Sequence, residues 1–175
     1  MNSVRSFILP AALVIALVAV FATSGCGYAF RSPVPDHLQT VYVPTFENDT
    51  REFLITQQLT ESVINEFLNE SRLRLVAAEE DADLLVSGRI TQYEEEALSY
   101  DPGQEATADV FERRIVLSVT VRIEDRVRER TLWENNRLRH WGEFNENEGE
   151  TRETGIERAI EKIAEEVLRH VAEEF

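Results

Sequence analysis

The sequence has few of the residues that build catalytic or metal sites. It holds one cysteine, Cys26, and three histidines, His37, His140 and His170, which lie far apart along the 175 residues. A single cysteine excludes an intrachain disulfide, and the histidines show no metal-ligand spacing. Glycine is scarce, with 7 residues, and neither a glycine-rich phosphate loop nor a nucleophile elbow is present. We therefore predict no enzymatic activity, no metal and no cofactor.

Basic residues are in the minority. The chain has 33 acidic and 18 basic residues and a formal net charge of −15. Because Arg5 is the only charged residue before Cys26, the part of the chain that follows is more acidic still. This charge disfavours nucleic acid as a partner and repels an anionic membrane surface. Any membrane attachment is therefore expected to depend on acyl chains.

One long apolar run is present, and it lies near the N-terminus. The basic Arg5 precedes an apolar run over 7–22, which is shorter than the roughly 20 residues of a membrane-spanning helix. The small residues of Ser24-Gly25 then precede Cys26. This order is typical of a lipoprotein signal, so we predict a signal peptide over residues 1–25 and a lipid-modified Cys26. An uncleaved membrane anchor with an incidental cysteine is the alternative.

The rest of the chain is predicted to form one domain after a short spacer. Residues 26–36 comprise the lipidated N-terminus and the spacer, in which Pro33 and Pro35 favour extended chain. Residues 37–175 are long enough to bury a single compact core.

The first half of this domain predicts a strand followed by a helix. Residues 40–46 are rich in β-branched and aromatic side chains, and Pro44 favours a strand end or edge. Side-chain oxygens at 48–50 suit a helix cap. Apolar residues then recur at four-residue spacing, and they are Ile55, Leu59, Val63 and Phe67.

The middle of the domain predicts a second strand and a loop. Alternation from Leu84 towards Tyr93 is typical of a strand, in which Gly88 indicates a bulge or the close approach of another backbone. A polar stretch over about 94–109 predicts a loop.

The last part of the domain predicts a hairpin and a helix. Residues 114–124 alternate between apolar and polar side chains. A further strand at 132–144 follows a charged connection at 125–130, which favours an antiparallel hairpin. The final helix is predicted to begin near Thr151 or Thr154. Its apolar face comprises Ile156, Ile160, Ile163, Val167 and Val171.

These elements have the order β-α-β-β-β-α. Two amphipathic helices can cover one face of a sheet. We therefore predict an α+β fold with a four-stranded, largely antiparallel or mixed sheet and both helices packed on one face.

Three short segments resemble one known family. Cys-Gly-Tyr-Ala-Phe at 26–30 looks like the lipidated start of the LPS-assembly lipoproteins of the LptE family, 41–48 looks like their first strand and turn, and Leu132-Trp133 looks like the start of their last strand. The element order is similar as well. The resemblance extends over nearly all of residues 26–175.

The resemblance implies a location and a function. It implies an outer-membrane lipoprotein, held by its acyl anchor in the periplasm-facing inner leaflet. Gly27, which is not an aspartate, resembles the pattern that permits transport to the outer membrane. The implied partners are the LPS-translocating β-barrel LptD, which the domain would plug, and lipopolysaccharide, whose insertion into the outer leaflet it would assist. From the residues alone, another envelope-assembly adaptor lipoprotein and a lipid-anchored hydrolase remain alternatives.

Five arginines are candidates for contact with LPS phosphates. Arg126, Arg128 and Arg130 would share one face if that stretch were extended, and Arg137 and Arg139 repeat the spacing on the following strand. Guanidinium groups suit phosphate oxygens. The alternative is a solvated hairpin neutralised by neighbouring carboxylates.

Three aromatic residues are candidates for contact with the partner barrel. Trp133 and Trp141 suit a large mixed interface, although burial beneath the helices is equally compatible with their positions. Tyr100 lies in the predicted polar loop, where contact with a partner is favoured.

Overall fold

The computed structural model describes residues 37–69, 72–98 and 112–173. The predicted signal peptide, Cys26, the spacer and Tyr100 lie outside the described residues. The elements are β1 (Thr40–Tyr42), β2 (Glu47–Asn48), α1 (Leu54–Asn69), β3 (Arg74–Leu75), β4 (Leu84–Ala97), β5 (Glu112–Asp125), β6 (Arg130–Asn145) and α2 (Arg152–Glu173). Short 3₁₀ turns occupy Glu79–Asp81 and Glu146–Glu148.

The strands form one mixed sheet. Their order is β3-β1-β4-β5-β6, and β2 also pairs with β4. The pairings of β1 and β2 are parallel, whereas β4-β5 and β5-β6 are antiparallel. The predicted α+β class is confirmed. The sheet has six strands instead of four, because β2 and β3 are two residues long and show too little alternation to be recognised.

The predicted first strand is divided in two. β1 ends at Tyr42, and β2 begins at Glu47. Both pieces pair with β4. Pro44 lies between them, where its missing N–H cannot contribute to a ladder.

The middle of the chain differs from the prediction in one respect. β4 continues to Ala97, so residues 94–97 belong to a strand and not to a loop. Pairing with β5 explains the extension, because Glu95 and Glu96 form ion pairs with Arg113 and Arg114. Cross-strand pairs of opposite charge stabilise such a ladder.

Gly88 lies where other parts of the chain approach the backbone of β4 closely, which is one of the two roles predicted for it. A Cβ at this position would overlap the Phe46 ring and lie 2.7 Å from the carbonyl oxygen of Thr120. The bulge in β4 lies further along, between Ile90 and Gln92.

Both helices cover one face of the sheet. The predicted apolar stripes of α1 and α2 are buried, and they pack against the apolar residues of β5 from Ile115 to Ile123. The α1 stripe follows a turn in which Asn48 Nδ2 donates to the carbonyl oxygen of Glu52 at 2.9 Å. Among the described residues, no helix lies on the opposite face of the sheet.

A pair of glycines brings α2 close to β6. A Cβ on Gly142 would overlap the carbonyl oxygen of Gly155, and a Cβ on Gly155 would lie 2.8 Å from the Phe144 ring. Only residues without a side chain fit at this contact. Backbone therefore packs directly on backbone where α2 begins.

Candidate functional site

The five candidate arginines occupy two places on the sheet. Asp125 pairs with Arg130 and Ser118 pairs with Arg139 in the β5-β6 register. Those pairs are seven residues apart along β5, or about 24 Å. The arginines therefore form two groups, which we call the turn arginines (Arg126, Arg128 and Arg130) and the strand arginines (Arg137 and Arg139).

The turn arginines do not lie on an extended stretch. Arg126 and Arg128 belong to the turn between β5 and β6, and Arg130 is the first residue of β6. Glu129 has a φ of 51°, a left-handed conformation that reverses the chain. The single face expected from every-second-residue spacing is therefore not formed here, although all three side chains are exposed.

A buried carboxylate holds this turn in place. Asp125 is fully buried. Its Oδ2 lies 2.9 Å from Nε2 of His37 and 3.6 Å from Nε of Arg130, and the backbone N–H of Arg128 donates to its Oδ1 at 2.9 Å. The turn is thus tied both to β6 and to the segment that precedes β1.

These contacts set the charge of Asp125. Burial by itself would raise the pKa of Asp125. The hydrogen bonds from His37 and the Arg128 N–H, together with the charges of His37 and Arg130, outweigh burial and lower the pKa of Asp125 below its ordinary value. The carboxylate therefore stays ionised at neutral pH.

A second aspartate connects the turn to β1. Asp83 Oδ2 accepts hydrogen bonds from the backbone N–H groups of Gln39 and Thr40, each at 2.9 Å. The backbone N–H of Arg126 donates to the carbonyl oxygen of Asp83 at 2.8 Å. Burial would raise the pKa of Asp83, but these hydrogen bonds lower it. The guanidinium of Arg126 forms an ion pair with Glu79 at 3.1 Å.

The cavity beside the turn is of mixed charge. Its volume is about 380 Å³. Two arginines line it together with three carboxylates and a hydroxyl, from Glu124, Asp125, Arg126, Glu129, Arg130 and Thr131. Arginine side chains are available there to an anionic group, but the carboxylates weaken the local positive potential.

The strand arginines lie at the edge of the uncovered face of the sheet. Arg139 Nη2 lies 3.3 Å from Glu96, which also pairs with Arg114 at 2.5 Å. Arg137 is exposed, and its backbone N–H donates to Asn135 Oδ1 at 2.9 Å. This face carries alternating charges, with Arg122 also placed between Glu124 and Glu134.

The two tryptophans lie on opposite faces of β6. Trp133 is half-buried on the helix-covered face and stacks on His170, with ring centroids 4.2 Å apart and an interplanar angle of 18°. Trp141 is 43% exposed. Its indole Nε1 donates to Glu143 at 3.2 Å, and Lys162 lies 5.7 Å from the ring centroid. Trp141 therefore has the more accessible surface for a partner.

The histidines have partners that their sequence positions did not reveal. His140 Nε2 lies 2.5 Å from Glu166, and His170 Nε2 lies 3.7 Å from the same carboxylate. In residues 37–69, 72–98 and 112–173, no group of three or more histidine, cysteine or carboxylate side chains is arranged to hold a metal. Within those same ranges, no helix has the length and apolarity needed to cross a membrane.

Sequence reasoning missed the importance of Asp125 and His37. A usable signal was present, because the odd-numbered residues of β5 from Ile115 to Ile123 are all apolar and all buried. Continuing the alternation places Asp125 on the buried face. A charged residue at such a position requires partners.

Comparisons with solved structures identify the fold. The chain is similar to an uncharacterised lipoprotein of Nitrosomonas europaea (TM-score 0.54, 16% identity, covering 83% of this chain and 90% of that one). It is also similar to a hypothetical protein of Chlamydia trachomatis (TM-score 0.53, 13% identity, 77% and 98%). PelC of Paraburkholderia phytofirmans, crystallised as a dodecamer, gives a TM-score of 0.51 at 15% identity, with coverage of 80% and 92%. At such identities, these likenesses concern the fold alone.

Comparison with curated proteins finds no match. A sequence model described as "LptE: Lipopolysaccharide-assembly" matches residues 38–171. The matched range begins before β1 and ends within the last turn of α2. The chain therefore belongs to the LptE family of lipopolysaccharide-assembly lipoproteins.

Proposed function

We propose that this protein is an outer-membrane lipoprotein that assembles with the LPS-translocating β-barrel LptD, plugs it, and assists insertion of LPS into the outer leaflet. The match to the LptE family over residues 38–171 is the observation that carries the proposal. In this function the domain works by contact, without a catalytic step, a metal or a cofactor.

The membrane attachment in this proposal is a lipid on Cys26. A signal peptide over residues 1–25 would be removed, and residues 26–36 would connect the acyl chains to the domain. His37, at which the described part of the domain begins, contacts Asp125 at the end of β5. The anchor would then hold the protein on the periplasm-facing leaflet of the outer membrane.

The two groups of arginines are the proposed LPS contacts. Arg126, Arg128 and Arg137 are exposed, as are Arg130 and Arg139. The guanidinium groups of Arg126, Arg130 and Arg139 already pair with carboxylates, so binding LPS there would require phosphate oxygens to compete with those partners. The described contacts of Arg128 and Arg137 are made by their backbone N–H groups, so the guanidinium groups of these two arginines are the most readily available to a phosphate.

The proposed contacts with the barrel are aromatic. Trp141 combines an exposed ring with a hydrogen-bonded indole N–H, which suits the centre of a mixed interface. Trp133 and Tyr100 remain candidates, and the stacking of Trp133 on His170 also gives that residue a role within the domain.

Affinity isolation from outer membranes tests the proposal. The protein with a C-terminal tag is expected to retain one stoichiometric companion, LptD, together with bound LPS. Recovery of a different envelope complex instead would contradict the proposal and support an adaptor of another pathway. Hydrolysis of a lipid ester by the purified protein, abolished by one substitution, would support a hydrolase.

The matched control addresses the anchor. Cys26→Ser removes the thiol that would be acylated, so this variant is expected to incorporate no labelled fatty acid, in contrast to the wild type. Equal labelling of the two proteins would contradict lipidation at Cys26 while leaving the partnership with LptD open to the isolation experiment.

A further inference from the structure

β6 is the last strand of the sheet and is 16 residues long. A long edge strand presents unpaired N–H and C=O groups, which invite another strand to pair with it. In antiparallel pairing, every second residue directs its backbone groups away from the neighbouring strand. The contacts of these outward-facing groups decide whether the edge is open.

Two cations from α2 occupy the outward-facing carbonyls near the end of β6. Lys162 Nζ donates to the carbonyl oxygen of Trp141 at 2.8 Å. Arg158 Nη1 donates to the carbonyl oxygen of Glu143 at 2.6 Å. A strand added here would have to displace both charged groups from their acceptors.

Polar side chains occupy further outward-facing groups. The backbone N–H of Asn145 donates to Glu150 Oε2 at 2.9 Å, and its carbonyl oxygen accepts from the Glu150 N–H at 3.1 Å. At the other end, the Arg137 N–H is bound by Asn135 Oδ1. The capped residues are thus 137, 141, 143 and 145. Their alternation matches the side of β6 that faces away from β5.

The first half of β6 is protected by its shape. Its register with β5 shifts twice, once between Ile123 and Glu124 and once between Val119 and Val121. Bulges bend an edge strand and increase its twist, which interrupts the straight row of groups that a partner strand requires.

The opposite edge is also protected. β3 and β2 are each only two residues long. The backbone N–H of Phe46, beside β2, donates to Thr60 Oγ1 of α1 at 3.1 Å. Short strands offer too few groups for a stable ladder.

We propose that the sheet is closed to strand addition at both edges, so that a β-rich partner contacts the side chains of this domain without pairing with its backbone. The identity of that partner as a barrel rests on the proposed function above. A domain placed among the strands of a barrel, whose own edges form and close during assembly, needs this protection more than an isolated domain does.

The double variant Arg158→Ala/Lys162→Ala tests the closure of β6. Both residues are exposed on α2, where alanine favours the helix. Purified in detergent as the full chain without the barrel, the variant is expected to double its protein mass relative to the wild type in light scattering. Amide hydrogens of Arg139, Trp141 and Glu143 are expected to exchange about tenfold more slowly in the paired form.

Two controls distinguish loss of the hydrogen bonds to the β6 carbonyl oxygens from loss of charge or of folding. Arg51→Ala/Arg169→Ala removes the same charge from two exposed positions whose described contacts include no backbone carbonyl of β6, and it is expected to keep the wild-type mass. Arg158→Met/Lys162→Met keeps much of the side-chain length but has no hydrogen-bond donor for the Glu143 and Trp141 carbonyl oxygens, so it is expected to pair like the alanine variant.

An alanine variant that keeps the wild-type mass, or that doubles its mass without slower exchange at those three amides, would overturn the proposal. This measurement uses the protein alone. A wild-type chain that fails to retain LptD would instead contradict the proposed function, so the two failures are distinguishable.

Discussion

The two faces of β5 carry different kinds of side chain. The face under the helices carries the odd-numbered apolar residues from Ile115 to Ile123, which are at most 1% exposed. The opposite face carries Arg114 and Arg122, each paired with glutamates on adjacent strands. The covered face stabilises the domain by apolar burial, whereas the uncovered face offers charged and aromatic side chains to other molecules.

Substitutions on each face should separate these roles most clearly. Leu117→Ala removes a fully buried side chain, and we expect the free energy of unfolding to fall by about 3 kcal/mol, because both burial and packing are lost. Arg122→Ala, on the uncovered face, is expected to cost less than about 0.5 kcal/mol. Urea denaturation measures both values. Equal losses would contradict the division between the faces.

The contact between Gly142 of β6 and Gly155 of α2 allows the packing on the covered face to be tested at a second place. Gly142→Ala places a methyl group against the Gly155 carbonyl, and we expect a loss of about 2 kcal/mol from overpacking. The control is Gly149→Asn, at a left-handed position with open space around it, which asparagine tolerates. A control loss as large as that of Gly142→Ala in thermal unfolding would refute the packing argument.

The buried carboxylate at the end of β5 should make stability depend on pH. Because folding lowers the pKa of Asp125, its ionised form stabilises the fold above about pH 4, and that contribution is lost as the pH falls through the lower folded value. Asp125→Asn should reduce the acid sensitivity and cost about 2 kcal/mol at neutral pH. Unfolding free energies between pH 2 and 7 provide the measurement, with the exposed Glu61→Gln as the control. Unchanged acid sensitivity in Asp125→Asn would contradict this role.

The smallest effects are expected when the turn arginines and the strand arginines are compared as LPS contacts. Replacing the turn arginines Arg126, Arg128 and Arg130 by glutamate, and separately the strand arginines Arg137 and Arg139, is expected to weaken LPS binding by about tenfold for a group that contacts phosphate. The salt dependence of binding should fall with it. Binding that survives both sets of changes unaltered would exclude both groups as the LPS contact.

The helices and the long strands were predictable because their apolar residues repeat over many positions. The stripe from Ile55 to Phe67 and the alternation from Ile115 to Ile123 each repeat several times, so local pattern and burial agree. β2 and β3 contain two residues each. β2 pairs with β4 and β3 pairs with β1, so both pairings depend on where the partner strands lie in space, which no local pattern records.

The candidate site was less predictable because its contacts join distant parts of the chain. Asp125 and His37 are 88 residues apart. The equal spacing of the turn arginines indicated a shared face, but the chain reverses at Glu129. The two cations that bind the carbonyl oxygens of Trp141 and Glu143 come from α2, which packs closely on β6 at Gly142.

The absence of side chains at Gly142 and Gly155 determines how closely α2 packs on β6. Arg158 and Lys162 follow Gly155 by one and two helical turns. A Cβ atom at either glycine would move α2 outward and separate both cations from the carbonyl oxygens of Trp141 and Glu143. A change made to the interior of this protein would thereby alter its tendency to self-associate.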